Sequence, residues 1–378
     1  MMARLGDVCA KITDGSHNPP QGISCSEYLM LSSKNIYDDD ISFDDPRYLS
    51  KENYETENKR TQISAGDILL TIVGTVGRAA VVSKTEKKIC LQRSVAVIKP
   101  KQELIDSRFL MYQLQSMRTH LEQEARGVAQ KGIYLRQVEN LQIKVPSRGE
   151  QLQVVSNLDQ ISELISLRKQ QLAKLDELVK SRFVELFGGK GYPEDTLLNL
   201  CNIIDYRGKT PEKVEYGLPF ITAKNVKMHQ MNLEPREYIS KETYDKVMVR
   251  GLPKEGDVVF TTEAPLGNVC RIPHFDTEFY IGQRIVTMQT EKLEPIYLEY
   301  ALSSDDFKMK YMGKSSGSTV TGIRVRLLEQ LTIPVPPIDI QTQFATFVEQ
   351  TDKSKLAIQE SLAELETLKK ALMQKYFG

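Results

Sequence analysis

The phrase Leu141-Gln142-Ile143-Lys144-Val145-Pro146 returns 190 residues later as Leu331-Thr332-Ile333-Pro334-Val335-Pro336. Reading outward from both copies finds the same offset along the chain. Toward the N-terminus, Gly127 and Gly132 align with Gly317 and Gly322, and Ala65-Gly66-Asp67-Ile68 with Glu255-Gly256-Asp257-Val258. Further back, Ser50-Lys51-Glu52-Asn53-Tyr54 meets Ser240-Lys241-Glu242-Thr243-Tyr244, and Lys34-Asn35-Ile36 meets Lys224-Asn225-Val226. Toward the C-terminus, Phe187-Gly188 meets Phe377-Gly378. One offset kept over so long a stretch is the mark of a tandem duplication.

Each copy changes character at this phrase. Before it, short β-rich runs such as Asp67-Ile68-Leu69-Leu70-Thr71-Ile72-Val73 and Val258-Val259-Phe260-Thr261 alternate with Gly and Pro, and at least one helix is expected around Ser107 to Glu124. After it, Glu150 to Phe187 and Ile340 to Phe377 hold no Pro and no Gly. Their apolar residues recur at helical spacing. Leu158, Ile165, Leu172, Val179 and Leu186 fall seven apart, with Ile161 and Leu175 between them; Val348, Ile358, Leu362, Leu365, Leu372 and Tyr376 continue the seam, interrupted by Lys355 and Lys369. A sustained 3.5-residue period predicts helices that pair as a coiled coil. Each would be ~57 Å long at ~1.5 Å per residue. Two such helices in one chain can cover each other's seams in an antiparallel pair, Leu158, Ile165, Leu172 and Val179 on one and Val348, Ile358, Leu365 and Leu372 on the other. The expected fold is α+β: β-rich domains over 1–148 and 189–338, long helices over 149–188 and 339–378, and a pseudo-twofold relating the copies.

Composition narrows the function. Lys and Arg total 50 and so do Asp and Glu, so global charge does not announce a nucleic-acid binder and any such reading must come from local charge. The five cysteines never approach Cys-x-x-Cys spacing and the four histidines are scattered, which predicts neither a metal site nor a disulfide framework. No apolar run approaches the ~20 residues that span a bilayer, and the start lacks the apolar core of a signal peptide. A cytoplasmic protein with no membrane contact is expected.

Two short stretches raise the question of adenine methylation. Asn18-Pro19-Pro20-Gln21 and Asp45-Pro46-Arg47-Tyr48 each come near the Asn/Asp-Pro-Pro-Tyr/Phe tetrad, whose polar group grips the adenine amino group while its ring stacks on the flipped base. The first lacks the aromatic, and the second has Arg47 in place of the rigid proline. The glycine-rich strand-to-helix turn that would hold a methyl-donor cofactor is missing as well, since Gly74-Thr75-Val76-Gly77 has no such continuation. Duplication turns Pro46-Arg47-Tyr48 into Pro235-Arg236-Glu237-Tyr238 after Glu234, and Asn18-Pro19-Pro20 into Lys209-Thr210-Pro211 after Arg207-Gly208. These read as structural turns at a DNA-facing or scaffold edge.

Two β-rich domains alternating with two long helices resemble the DNA-specificity subunit of type I restriction-modification systems. The resemblance covers the entire chain. It rests on Asp14-Gly15-Ser16-His17 after the first strand, the Gly66-Asp67-Ile68-Leu69 and Gly256-Asp257-Val258-Val259 turns, and Gly127/Gly132 and Gly317/Gly322 before an Ile-x-Val-Pro strand. A Gln-rich entry into each helix, Gln151-Leu152-Gln153 and Gln341-Thr342-Gln343, completes it. The resemblance implies two target-recognition domains, each reading one half of a split double-stranded DNA target, with the helix pair setting the spacer. It implies a chain that is not itself catalytic. Two modification subunits would bring S-adenosylmethionine, and restriction subunits would bring ATP and Mg for translocation and cleavage; this chain would hold no cofactor.

Local charge supplies the candidate contacts. Arg126-Gly127-Val128-Ala129-Gln130-Lys131-Gly132-Ile133-Tyr134-Leu135-Arg136 has three basic residues and no acid, and Gly313 to Arg326 repeats the pattern with Lys314, Arg324 and Arg326. A glycine frame lets backbone N–H groups and short side chains approach a phosphate or a base edge. Gln130 and Lys131 suit adenine or guanine edges, whereas Ser318, Thr319 and Thr321 in the second copy suit the thymine methyl or serve several bases. Tyr134, Ser316 and the turn residues Thr75, Arg78 and Asn268 join this set, as do Ser16, His17, Arg207 and Lys209. Lys34 with Lys224, and Gln92-Arg93 matched to Gln283-Arg284, suit contacts to the DNA backbone or support of the fold. A protein-binding adaptor with a coiled-coil spacer is the competing reading, favoured by the neutral charge, and an enzyme is the third.

Overall fold

The computed structural model describes residues 1–378 except 86, 128–130, 207–210 and 318–320. The chain divides into two compact units, 1–169 with 360–378, and 170–359.

In the first unit the apolar runs become the central strands of a four-stranded antiparallel sheet, ordered Cys9–Asp14, Val95–Pro100, Ile68–Thr71, Ala79–Val81. Strand alternation sends side chains to both faces, and both are covered. Ile68, Leu70, Ala96 and Ile98 share one core with Phe109, Leu110 and Leu114 of helix Ser107–Ser116. Leu69, Ala80 and Val97 share another with Leu29, Leu31, Ile89 and Leu91 of a second sheet, ordered Arg47–Leu49, Tyr28–Leu31, Lys88–Leu91. A two-stranded ladder joins Met2–Arg4 to Gln142–Lys144, with Met2 opposite Lys144. The repeated Ile-x-Val-Pro phrase is therefore the strand that clips the start of each β-rich part to the foot of its long helix.

The second unit repeats these sheets with Asn202–Asp205, Ile285–Gln289, Val258–Thr261 and Val269–Arg271, then Tyr238–Ile239, Leu218–Ile221 and Tyr280–Ile281, then Glu194–Thr196 with Thr332–Pro334. It adds a hairpin, Val226–Lys227 with Gln230–Met231, where the first unit has only the bridge between Ile36 and Ile41. The helical stretch expected around Ser107 to Glu124 is two helices, Ser107–Ser116 and Arg118–Glu124, because Met117 leaves helical geometry at ψ 5°. Its counterpart is also broken: Pro295–Ser303 is followed by Asp305–Met312, whose first turn is capped by Ser304 Oγ accepting from Phe307 N at 3.2 Å.

The long helices run Arg148–Phe187 and Ile338–Phe377, each 40 residues. They begin two residues before the apolar pattern suggested. Ser147-Arg148-Gly149-Glu150 is a capping box in which Ser147 N–H donates to Glu150 Oε2 at 2.9 Å, so the start is fixed by polar chemistry. Within the first unit the two helices are antiparallel: Asn157 Nδ2 donates to the Tyr376 hydroxyl at 2.8 Å, and Lys169 pairs with Glu366 at 3.2 Å. Within the second unit Asp176 pairs with Lys355 at 2.7 Å and Phe187 packs edge-on against Phe344. Of the expected seam, Leu158, Val179 and Val348 are buried, while Ile165, Leu172, Ile358, Leu365 and Leu372 are half-buried, as befits helices covered on one side only. Among the described residues no helix is long and apolar enough to cross a membrane.

Candidate nucleic-acid interface

In the first unit, backbone bonds gather several sequence-nominated residues at one end of the four-stranded sheet. Ser16 N–H donates to the Leu91 carbonyl at 2.7 Å and Arg93 N–H to the Ser16 carbonyl at 2.8 Å. Gly15 is required here, since a Cβ would lie 2.1 Å from the Leu91 oxygen. The Ser94 carbonyl accepts from Ile72 N at 2.9 Å, and the Ile72 carbonyl accepts from Ile133 N at 2.9 Å. Arg126 and Gly132 exchange two bonds of 2.9 Å that close the neck of the glycine loop, and Gly74 N–H donates to the Lys131 carbonyl at 3.0 Å. Arg93, Arg126, Lys131, Tyr134 and His17 thus project from one bonded frame and are exposed, as is Thr75 on the adjoining turn.

Other nominated residues carry contacts that shape the fold. His17 Nε2 is 2.8 Å from Asp14 Oδ2, and the buried Asp14 also takes the Arg60 guanidinium. Arg78 lies over the Tyr37 ring, its guanidinium carbon 5.2 Å from the centroid. Lys34 pairs with Asp45 at 2.5 Å. The two methyltransferase-like stretches are latched to one another, for the Arg47 guanidinium donates to the Pro20 carbonyl at 2.9 Å while Tyr48 packs on the core between the two sheets. Arg47, the residue that spoils the tetrad, is what makes the turn.

The second unit rebuilds the frame with different side chains. Ser316 and Gly322 exchange bonds of 3.0 and 3.1 Å, Ile323 N–H donates to the Thr262 carbonyl at 2.9 Å, and Thr262 N–H to the Arg284 carbonyl at 2.8 Å. An open cavity of about 280 Å³ is lined by Thr262, Glu263, Gln283, Arg284, Ser316 and Arg324, among others. Arg284 Nε lies 2.8 Å from Glu263 Oε1. Lys224, Lys314, Thr321 and Arg324 are exposed. The Asn268 amide donates to the Val226 carbonyl at 2.8 Å and so supports the fold. Gln130, Arg207, Lys209, Ser318 and Thr319 lie outside the described residues.

The frame also corrects one alignment. Gln92 N–H bonds the Leu31 carbonyl as Gly282 N–H bonds that of Ile221, and Ile72 N–H bonds Ser94 as Thr262 N–H bonds Arg284. Arg93 therefore corresponds to Gln283, and Arg284 to Ser94. Matching the identical Gln-Arg pairs by eye slips the register by one residue. Glu263, which occupies the place of Val73, went unnoticed in the sequence; the signal was an acid beside an otherwise acid-free loop. Among the described residues no cluster of His, Cys, Asp or Glu could hold a metal ion.

The family model for the type I restriction modification DNA specificity domain matches residues 2–177 and again 194–368. The chain belongs to that family. Among relatives of this specificity-domain protein, the specificity subunit of type I restriction enzyme MjaVIII from Methanocaldococcus jannaschii is 24% identical over 346 residues, covering 84% of this chain and 79% of that one. The EcoBI specificity subunit of Escherichia coli is 32% identical over 161 residues, covering 41% and 34%. The solved S subunit of a type I system from M. genitalium aligns with a TM-score of 0.59 at 14% identity, over 100% of this chain and 96% of that one. A chain solved in work on complex assembly and conformational transition of the type I system aligns at 0.57 and 20%, over 100% and 97%. At such identities these two alignments speak to the fold: an α+β chain with tandem specificity domains and paired long helices.

Proposed function

We propose that each unit reads one half of a bipartite DNA target and that the chain acts as the non-catalytic specificity component of a type I complex in the cytoplasm. The observation that carries this reading is the glycine loop closed at its neck and bonded to the same sheet end in both units, with exposed cations in each and different side chains between. A shared frame with variable projections is what two readers of unlike half-sites need. The paired helices would set the spacer and offer a docking face to two modification subunits, which bring S-adenosylmethionine; restriction subunits would bring ATP and Mg. The 1–148, 149–188, 189–338 and 339–378 division gives the functional parts of that assembly. The test is to express the chain with its modification subunits and sequence the methylated bases. Two fixed short motifs separated by an unspecified spacer are expected, and a single continuous motif overturns the reading.

A further inference from the structure

We propose that Arg284 reads a guanine in the half-site of the second unit, with Glu263 as the positioning residue that holds its guanidinium. This rests on the bipartite reading above and adds the residue and the base.

The backbone supplies the first reason. Arg284 has φ +77°, a left-handed conformation uncommon for a long side chain, whereas Ser94 at the same bonded position is not left-handed. Such outliers persist where the surroundings enforce them, and they cluster at functional sites. The Arg284 carbonyl accepts from Thr262 N–H at 2.8 Å, as that of Ser94 does from Ile72 N–H, so the shared bond does not impose the left-handed backbone; that conformation sets apart Arg284, whose side chain is 52% exposed.

The side-chain geometry supplies the second. The ion pair is closest at Nε, 2.8 Å from Glu263 Oε1, and the two terminal amino groups stand as a planar fork of donors. That fork matches O6 and N7 of guanine in the major groove. Glu263 is itself held against the loop. A Cβ on Gly322 would come within 3.1 Å of Glu263 Cβ and 3.2 Å of the Thr262 carbonyl oxygen, so glycine permits the approach. Ser316, Gln283 and Arg324 surround the open cavity into which a base edge could enter.

The comparison between units supplies the third. The same frame folds in the first unit with Val73 and Ser94 at these two places, as the bridges from Val73 to Gly132 and from Glu263 to Gly322 show. The fold does not require the ion pair. A carboxylate on a surface meant only to neutralise phosphates weakens binding, so its presence favours orienting a base reader over backbone attraction.

The experiment uses the full chain assembled with its modification subunits and selection from random duplex pools. Wild type is expected to select a guanine at one position of one half-site. Arg284→Lys keeps the charge and loses the fork. It should cut discrimination at that position roughly 5- to 150-fold, leaving the other half-site unchanged. Arg284→Gly should do the same, and because glycine adopts positive φ freely, it controls for misfolding. Glu263→Val, the first unit's residue, should weaken the same guanine preference and have no further effect there once Arg284 is gone. Uniform weakening across all sequences with a shallower salt slope, or an unchanged motif in Arg284→Lys, overturns the proposal and leaves the bipartite reading standing. A wild-type complex that selects no split motif overturns both.

Discussion

Lys369, near the end of the second long helix, places its ammonium nitrogen 2.8 Å from Oδ2 of Asp39, a residue of the first unit's β-rich part. Both side chains are about four-fifths buried, at 22% and 19% exposure. Asp39 also accepts from Gln115 Nε2 at 3.2 Å and Ser162 Oγ at 3.3 Å, so one carboxylate gathers two long helices and a short one. Removing one partner strands the other charge. Asp39→Asn, which still suits the left-handed backbone at φ +65°, and Lys369→Ala should each cost ~1–3 kcal/mol. Urea unfolding should show a lower midpoint with unchanged slope; an unmoved midpoint in both variants would contradict the anchoring role.

That pair also marks the boundary of what the sequence revealed. Lys355 and Lys369 stood out as polar interruptions of an apolar seam, and both are ion-pair anchors, to Asp176 and Asp39. The interruptions were legible because a heptad pattern is local. Asp39 was not, since it lies 330 residues from its partner along the chain. The sheets followed from strand alternation in runs such as Ile68-Leu69-Leu70-Thr71, but the extra hairpin at Val226–Met231 has no turn signal stronger than the first copy's. In the site, loop composition found the cations, while the register of Arg284 and the acid facing it needed the hydrogen-bonded frame.

The two units treat one acid differently, buried as Asp67 in the first and half-buried as Asp257 in the second. Each accepts a backbone N–H, Asp67 from Ser64 at 2.8 Å and Asp257 from Lys254 at 2.7 Å, but Asp67 also receives the Lys99 ammonium where Asp257 receives the neutral Gln289 amide, at 2.7 Å. Burial raises the Asp257 carboxyl above its ordinary value of 3.8 despite both hydrogen bonds. The folded unit therefore holds the proton more tightly than the unfolded chain. This contribution to stability is present below pH 3.8 and is lost as pH rises through the raised value. Gln289→Lys, which restores the first unit's partner, should raise stability at pH 7 relative to wild type, and Asp257→Asn should remove this part of the pH dependence. Unfolding curves at several pH values measure both; no gain for Gln289→Lys at pH 7 would show that burial of the acid is not what limits this site.

If the units read independently, the loop cations should act on one half-site each. Lys131→Ala or Arg126→Ala should weaken one half-site, and Lys314→Ala or Arg324→Ala only the other, by ~1–3 kcal/mol where a base contact is lost. Arg78→Ala is the informative contrast, because its guanidinium is engaged over the Tyr37 ring and its removal should act through stability of the turn. Binding of the assembled complex to duplexes carrying one wild-type and one scrambled half-site separates these effects. Equal losses at both half-sites from one replacement would argue for coupled reading.

The spacer prediction follows from helix geometry. Each long helix has 40 residues and so spans ~60 Å at ~1.5 Å per residue. Four residues inserted after Lys174, on an exposed stretch of the first helix, lengthen it by ~6 Å. Four exceeds the 3.5-residue period by half a residue, a small stutter that a coiled coil absorbs by local unwinding, so the Leu172 and Leu175 seam should still find its partner helix. DNA rises ~3.4 Å per base pair, so the distance gained is less than two base pairs. The methylated motif in cells carrying this variant should keep both half-sites and lengthen the unspecified spacer by one or two base pairs. Truncation from Gln341 instead uncovers the first seam and should uncouple the half-sites, unless two truncated chains pair to rebuild the helices and read a symmetric target. An active insertion variant with an unchanged spacer would mean that the partner subunits, not these helices, set the distance between half-sites.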